Sequence, residues 1–480
     1  MYRLVMILLA LLSTLQIRNA AGAAASARGG AEAGATPHAP IIASPDIYVP
    51  RAHPTREYWV DKMPAGNGRS VIVQKCQLCH DMQRTLAAAR PRDQWQHVVE
   101  AMIRRGSPVA PDEVPPMVDY LARYFGPDSP VIPELGRRAC KRGDWPKGSS
   151  EFRRRWKGAY NIWVSNQQDG SIDIVDSANY RIVNRIGCVT APDRVEFSHD
   201  GDTAYVPDRV EHNITVIDTR TGAFLAKIPL LDRPNSAAVS RDSKRLYVGI
   251  WPLAGDEDRR GYIQVIDTAT LKITRTIRTK GGIHLPWMSP DGKLLLALSS
   301  AGKFMDVYDT ATDRLLYTCC SDAEVGTMNV EPGPDGSSRR LFFSYVNFNG
   351  VVIVDAHTGK ELGRAANPDM PAMGFHGSEI SPDGRSYWFI QFSKVYRFDV
   401  PSLKPSGVVP LSLVDQVGNP FSAPVEGNAL TISPDGRKVY ALRGGRNLMS
   451  VIDVATMREE ALVPTGQYGL HVSIWPRGTP

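Results

Sequence analysis

From residue 158 onward the chain is a succession of short runs in which apolar and polar positions alternate, the period of half-buried β-strands. Seven of these runs end on aspartate: SIDIVD at Asp176, then Asp218, Asp267, Asp309, Asp355, Asp399 and Asp453. Most are followed by a Thr- or Gly-containing turn and another alternating strand, as in TRTGAFLAKI. Between them a second phrase recurs: FSHDG, VSRDS, MSPDG, GPDG and two copies of ISPDG, each preceding a strand such as RLYVGI or KVYALR. The spacing of roughly 42 to 54 residues, with four short strands per repeat, predicts propeller blades.

The ends of this region predict how the ring closes. The first repeat begins midway, at NIWVSN, and lacks its innermost strand; the chain finishes with YGLHVSIWPRG, a lone copy of that strand. The C-terminal strand is therefore expected to complete blade one and remove a free sheet edge. The expected fold class is mainly β, a seven-bladed propeller over 158–478, with a small all-α domain ahead of it over 55–130.

That smaller region has helical periodicity and one motif with specific chemistry, Cys76-Gln-Leu-Cys79-His80. C-x-x-C-H is the attachment motif of c-type haem. Two thiols on one helical turn add to the two haem vinyl groups, and the adjacent imidazole lies under the iron. A zinc site would need a second ligand pair nearby, and a thioredoxin-type motif a βαβ context; neither is present. For the sixth ligand, Met82 is too close to the motif to reach the opposite haem face, and Met117 reads as helix core. Met102, in QWQHVVEAMIRRG, is the expected ligand, with His97 the alternative. One covalent haem c is the expected cofactor.

The residues CQLCHDMQR, then DQWQHVVEAMIRRGSPVAPDEVPPMVDYLARYFGP, resemble a haem domain of the quinohaemoprotein amine dehydrogenase α subunit, which has C-x-x-C-H, then W-x-x-x-V-x-x-M, then a helix ending Y-L-x-x-x-F-G. The resemblance covers about seventy residues and implies Met102 as a ligand. It does not extend to an amine substrate, because that family's catalytic quinone resides on a separate subunit. The propeller phrases resemble the YVTN family of bacterial seven-bladed propellers over about 320 residues, which implies fold rather than activity.

Composition adds the setting. Arg3 and the apolar stretch Leu4 to Leu15, followed by small residues, predict a signal peptide over 1–27, too short to span a bilayer as a mature helix. An Ala-, Gly- and Pro-rich stretch over 28–54 reads as a disordered spacer. The expected location is the periplasm, with no membrane span after cleavage. A net charge of +6 over 480 residues is mild and gives no reason to expect a nucleic-acid partner. Residues 131–157 concentrate basic side chains, from Arg137 to Lys157, and read as a linker or as a docking patch for a soluble acidic redox partner. Outside the haem motif four cysteines remain, which allow three pairings. A vicinal bridge Cys319–Cys320 would leave Cys140–Cys188 to pin the linker onto the first blade.

Within a blade the innermost strand starts on the face where the second-to-third turn lies, here the top face. Seven residues before the aspartate of each SPDG phrase come Asp193, Asn235, His284, Met328, His376 and Asn428, and the closing strand offers His471 or Leu470. These entrances are polar where a packed strand would be apolar. They read either as water-lined channel residues or as a metal or cofactor site, a quinone included, built from His284, His376 and His471. Glu379 and Trp287 follow further along the inner strands, Glu379 as a candidate base. Arg209, Arg259, Arg260, Asn347, Lys394, Arg443 and Arg446 are expected to form a basic rim.

Three function classes follow. The first is a periplasmic redox enzyme whose top face handles a small molecule while haem c passes electrons to an external acceptor. Cytochrome cd1 nitrite reductase and its relatives in haem d1 synthesis share this plan, with eight blades where this chain shows seven. The second is an electron carrier with the propeller as a docking scaffold. The third is a non-redox lyase resembling virginiamycin B lyase, which uses a histidine and a divalent metal.

Overall fold

The computed structural model describes residues 38–47, 63–76 and 90–476, apart from 105–106, 128, 130–139, 168–169, 253–259, 300–301, 321–323, 334, 346–347, 371–376 and 415–428. The signal peptide, Cys79, His80, His376 and Asn428 lie outside the described residues.

Seven four-stranded antiparallel sheets form the body of the protein, each running in chain order from the channel outward. Blade 1 is the exception. Its inner strand is Gly469–Trp475, paired with Asn161–Asn166, so the last strand of the chain closes the ring on the first. The C-terminal strand supplies Val472 and Ile474 to an apolar cluster shared with blade 7.

The second and third strands of each blade are buried along their length, as in Leu294–Ser299 and Gly350–Asp355, because both faces pack on neighbouring blades. The outer strands, such as Lys272–Thr279, are largely exposed and carry charges that discourage edge pairing.

The recurring aspartates are turn caps. Asp267, Asp309, Asp355 and Asp453 each accept the backbone N–H and hydroxyl of a threonine three residues on. The fourth residue after each of the seven aspartates is left-handed: Tyr180, Gly222, Leu271, Asp313, Gly359, Leu403 and Met457. Only two are glycine, so the caps must hold five side-chain-bearing residues in a strained conformation. In the SPDG phrases the serine hydroxyl bonds the aspartate two residues on, as in Ser289–Asp291 (2.7 Å).

Ahead of the propeller, three helices share one apolar cluster: α1 (Arg69–Cys76), α2 (Arg92–Arg104) and α3 (Val114–Tyr124). Ile72 of α1, Trp95 and Val99 of α2, and Met117, Val118 and Leu121 of α3 are buried together. Trp95 Nε1 donates to Phe125 O at 3.1 Å. Gly68 is left-handed, and a Cβ there would lie 2.1 Å from Pro116 O, so α1 seats on α3 only through glycine.

Two disulfides lie among the described residues, Cys140–Cys188 and the vicinal Cys319–Cys320. Residues 39–47, inside the stretch whose composition reads as a spacer, run along the outer edges of blades 7 and 1. The linker after Cys140 is also fixed to the propeller. Phe224 N donates to Pro146 O, and Arg153 donates to Thr219 O (3.0 Å) while lying over Trp475.

Candidate functional site: the mouth of the central channel

Asp193 precedes the inner strand of blade 2 and is fully buried. Its Oδ1 lies 3.1 Å from Nε2 of His471, on the closing strand of blade 1. Its Oδ2 lies 3.5 Å from Arg209, in the second-to-third turn of blade 2. Its backbone is fixed as well: its N–H donates to Pro207 O, and its carbonyl accepts from Ser165 Oγ. Burial pushes the Asp193 carboxyl up, but the His471 ring and Arg209 more than offset this and hold it below the ordinary carboxylate range. The side chain of His471 remains 27% exposed.

Asn235 and His284 are the next entrances. Asn235 Nδ2 donates to the carbonyl of His284 at 2.5 Å, joining blades 3 and 4. The His284 ring meets Trp251 edge to face, with centroids 5.0 Å apart, and Arg233 lies over the other part of Trp251. Among the described residues, Asn235 Oδ1 and Trp251 Nε1 are buried with no hydrogen-bond partner, an acceptor and a donor beside one histidine.

Arg194 follows Asp193 in sequence. Its guanidinium stands 4.3 Å over the ring of Trp287, on the inner strand of blade 4, and 3.2 Å from Glu196. Arg194 belongs to blade 2 and Trp287 to blade 4, so this contact joins blades that are not consecutive. The entrances of blades 1 to 4 carry His471, Asp193 with Arg209, Asn235, and His284 against Trp251.

Other sequence-derived positions sit elsewhere. Met328 is fully buried in the apolar cluster between blades 4 and 5, because a bulge between Val325 and Met328 shifts the strand register. Thr327 and Asn329 bond Ser378 of blade 6 instead. Glu379 Oε2 accepts the Thr431 hydroxyl and the Ile432 N–H, an inter-blade tie that occupies it. The expected basic rim is reduced. Arg209 is committed to Asp193, and Arg446 is buried. Arg443 is buried against Glu459, Ser450 and the Ser412 carbonyl; burial draws it down to about 10 against the pull of Glu459. Arg260 and Lys394 are exposed, while Arg259 and Asn347 lie outside the described residues. Among the described residues no three His, Cys, Asp or Glu side chains are grouped to hold a metal, and His376 is not among them.

Sequence reasoning missed Arg194 and Trp251. Arg194 had a signal, a charged residue just ahead of an inner strand. Trp251 had a weaker one, a tryptophan ending RLYVGIW.

At the helices, Cys76 ends α1, belongs to neither disulfide, and packs half-buried against the apolar cluster. Met117 is a fully buried member of that cluster, whereas Met102 is half-buried on α2. His97 Nδ1 lies 2.8 Å from the Asp93 carbonyl, one turn earlier.

The fold is a seven-bladed β-propeller. No family model matches the chain. It is 20% identical over 337 residues to an uncharacterised protein, YncE, of Salmonella typhimurium, covering 66% of this chain and 87% of that one. It is 21% identical over 261 residues to antigen Lp49 of Leptospira interrogans, covering 50% of this chain and about half of the antigen, 55%. Among solved structures it is similar to hydrazine synthase of Kuenenia stuttgartiensis (TM-score 0.53, 20% identity, 65% of this chain and 97% of that chain). It is also similar to the dihydro-heme d1 dehydrogenase NirN (TM-score 0.51, 16% identity, 86% and 99%). These structural likenesses are of fold alone.

Proposed function

We propose that this is a periplasmic haem c oxidoreductase in which the channel mouth of blades 1 to 4 handles a small molecule. Electrons then leave through a haem held by Cys76, Cys79 and His80, with Met102 as sixth ligand, to an external protein acceptor. The observation that carries the reading is the His471–Asp193 pair. A buried, ionised carboxylate holds one imidazole nitrogen and orients the ring. With Nε2–H donating to Asp193, Nδ1 is left to take a proton from a substrate as electrons are withdrawn. Arg209 secures Asp193 from the other side.

The C-x-x-C-H motif supports the haem, and so does Cys76, which ends a helix at the edge of an apolar cluster. Bound there, a haem would supply one-electron storage at a potential set by its ligands. The alignment with NirN covers more of this chain than the two thirds taken by the propeller, so it reaches residues ahead of it. That protein is by name a dehydrogenase.

The test uses haem-loaded protein and a panel of small oxidisable amines, alcohols and reduced nitrogen compounds, with haem reduction followed by absorbance. At least one compound should reduce the wild-type haem. His471→Ala should slow that reaction by roughly 10²-fold or more while dithionite reduces the haem normally. Equal rates in wild type and variant would remove the channel mouth from the chemistry, and the scaffold reading would replace it.

A further inference from the structure

The helical unit is attached to the propeller at both of its ends, and both attachments reach the outer strand of blade 1 or the residues just past it. Ahead of the helices, Ile41 forms a parallel bridge with Leu462 in the outer strand of blade 7. Ile42 N donates to Leu462 O at 2.8 Å, and Leu462 N donates to Pro40 O at 2.9 Å. Ala39 and Ile41 pack on Val414, Leu448 and Leu462, and Ile42 and Ile47 on the cluster of the closure seam. The segment then crosses to blade 1, where the buried Ser44 Oγ accepts the N–H of Ile182 at 2.8 Å. Behind the helices, Cys140 is bonded to Cys188.

Ile182 is the first residue of blade 1's outer strand, Ile182–Ile186, and Cys188 lies two residues past its end. At ~3.3 Å per residue the two attachments are roughly 20 Å apart. We propose that the helical unit is a captive excursion from the outer edge of blade 1, held at one end by the non-covalent strap 39–47 and at the other by the Cys140–Cys188 bridge.

The strap is built as an anchor. It adds a backbone-paired segment to an exposed sheet edge, the arrangement by which extended peptides dock on sheets. It also covers Leu462, an apolar residue at the register position that Arg185, Lys227, Thr276, Thr318 and Arg364 hold on the outer strands of blades 1 to 5. From Ile47 to Met63 and from Ser129 to Cys140 the chain stretches at most ~55 Å and ~38 Å. The shorter tether keeps the start of the chain after the helices within ~38 Å of Cys188, and the two together make any exchange between helices and propeller intramolecular. This inference stands whatever group the helices hold.

The experiment places a protease recognition site in residues 131–139 of the full chain and cuts the purified, oxidised protein. The fragment carrying the strap and the helices should co-elute with the propeller on size exclusion. In the Ile41→Asp, Ser44→Ala variant it should separate. A fragment that leaves with the strap intact would overturn the proposal. So would a fragment that stays in the variant, because the helices themselves would then be doing the holding. A second site, in residues 48–62, leaves the strap sequence unaltered and guards against misfolding of the variant. After that cut the peptide carrying 39–47 should remain in the native mass spectrum of the propeller; its loss would equally refute the anchor.

Discussion

His471 Nε2 lies 3.1 Å from Asp193 Oδ1, and this contact ties the closing strand of the chain to the entrance of blade 2. The two residues do not contribute equally. Asp193 also faces Arg209, so removing its charge leaves a cation without its buried partner. Asp193→Asn should therefore cost about 3 kcal/mol. His471→Ala leaves Asp193 with Arg209 and should cost less than about 2 kcal/mol. Denaturant unfolding of both variants measures the order, and a larger loss in His471→Ala would refute it.

Ring closure rests on the last strand. Deleting residues 466–480 strips the ladder between Gly469–Trp475 and Asn161–Asn166 and exposes the face that Val472 and Ile474 cover. Some five hydrogen bonds of roughly 1 kcal/mol each, together with the apolar face, compare with a net stability of about 5–15 kcal/mol. The truncated protein should unfold or aggregate. A soluble product with unchanged melting temperature would show that the ring closes without this strand.

Acid should unfold the propeller through its turn caps. Lys438 and the Thr456 cap hold the Asp453 carboxyl down at about 2, and serine hydroxyls with turn N–H groups lower Asp200 and Asp242. A carboxyl depressed in the folded state binds protons more weakly there than in the unfolded chain. Its contribution is complete above the ordinary value of 3.8 and is lost as pH falls toward 2. Melting temperature should be nearly level above about pH 5 and fall steeply between about pH 4 and 2. Asp453→Asn should shallow that fall, and an unchanged slope would count against these caps.

The repeat made the propeller legible, because each blade solves the same turn problem with the same residues. The strand ending in aspartate and the SPDG phrase are local devices, so a period read along the chain locates seven blades and the incomplete first one. Side chains that meet between blades were less legible. Asp193, Asn235, His284 and His471 stand at entrances as the period predicts, but the bulge before Met328 carries that residue into the core. Arg443 looks like a free rim cation until its partner Glu459, on the outer strand of the same blade, is seen. The Arg194–Trp287 contact joins blades that are not neighbours, and no spacing along the chain encodes it. Residues 39–47 looked like spacer because Ala, Gly and Pro dominate the stretch around them, yet Ile41, Ile42 and Ile47 supply enough apolar surface to dock.

The axial ligand separates two methionines with different surroundings. Met117 is sealed in the helix cluster and Met102 is half-buried on α2. Met102→Ala should abolish the weak near-infrared sulfur-to-iron band of oxidised haem-loaded protein, at about 700 nm for Met–His ligation. Met117→Ala should lower stability by about 2–5 kcal/mol and leave the band in place. The reverse pattern would exchange their roles.

The central claim is that Cys76 and Cys79 carry a covalent haem. The most direct measurement is the intact mass and haem-stained denaturing gel of the protein matured in a periplasm with cytochrome c assembly. The account predicts one haem per chain, lost in the Cys76→Ala, Cys79→Ala double variant while the propeller still folds. A wild-type chain without haem, or covalent haem that persists in the double variant, would contradict it.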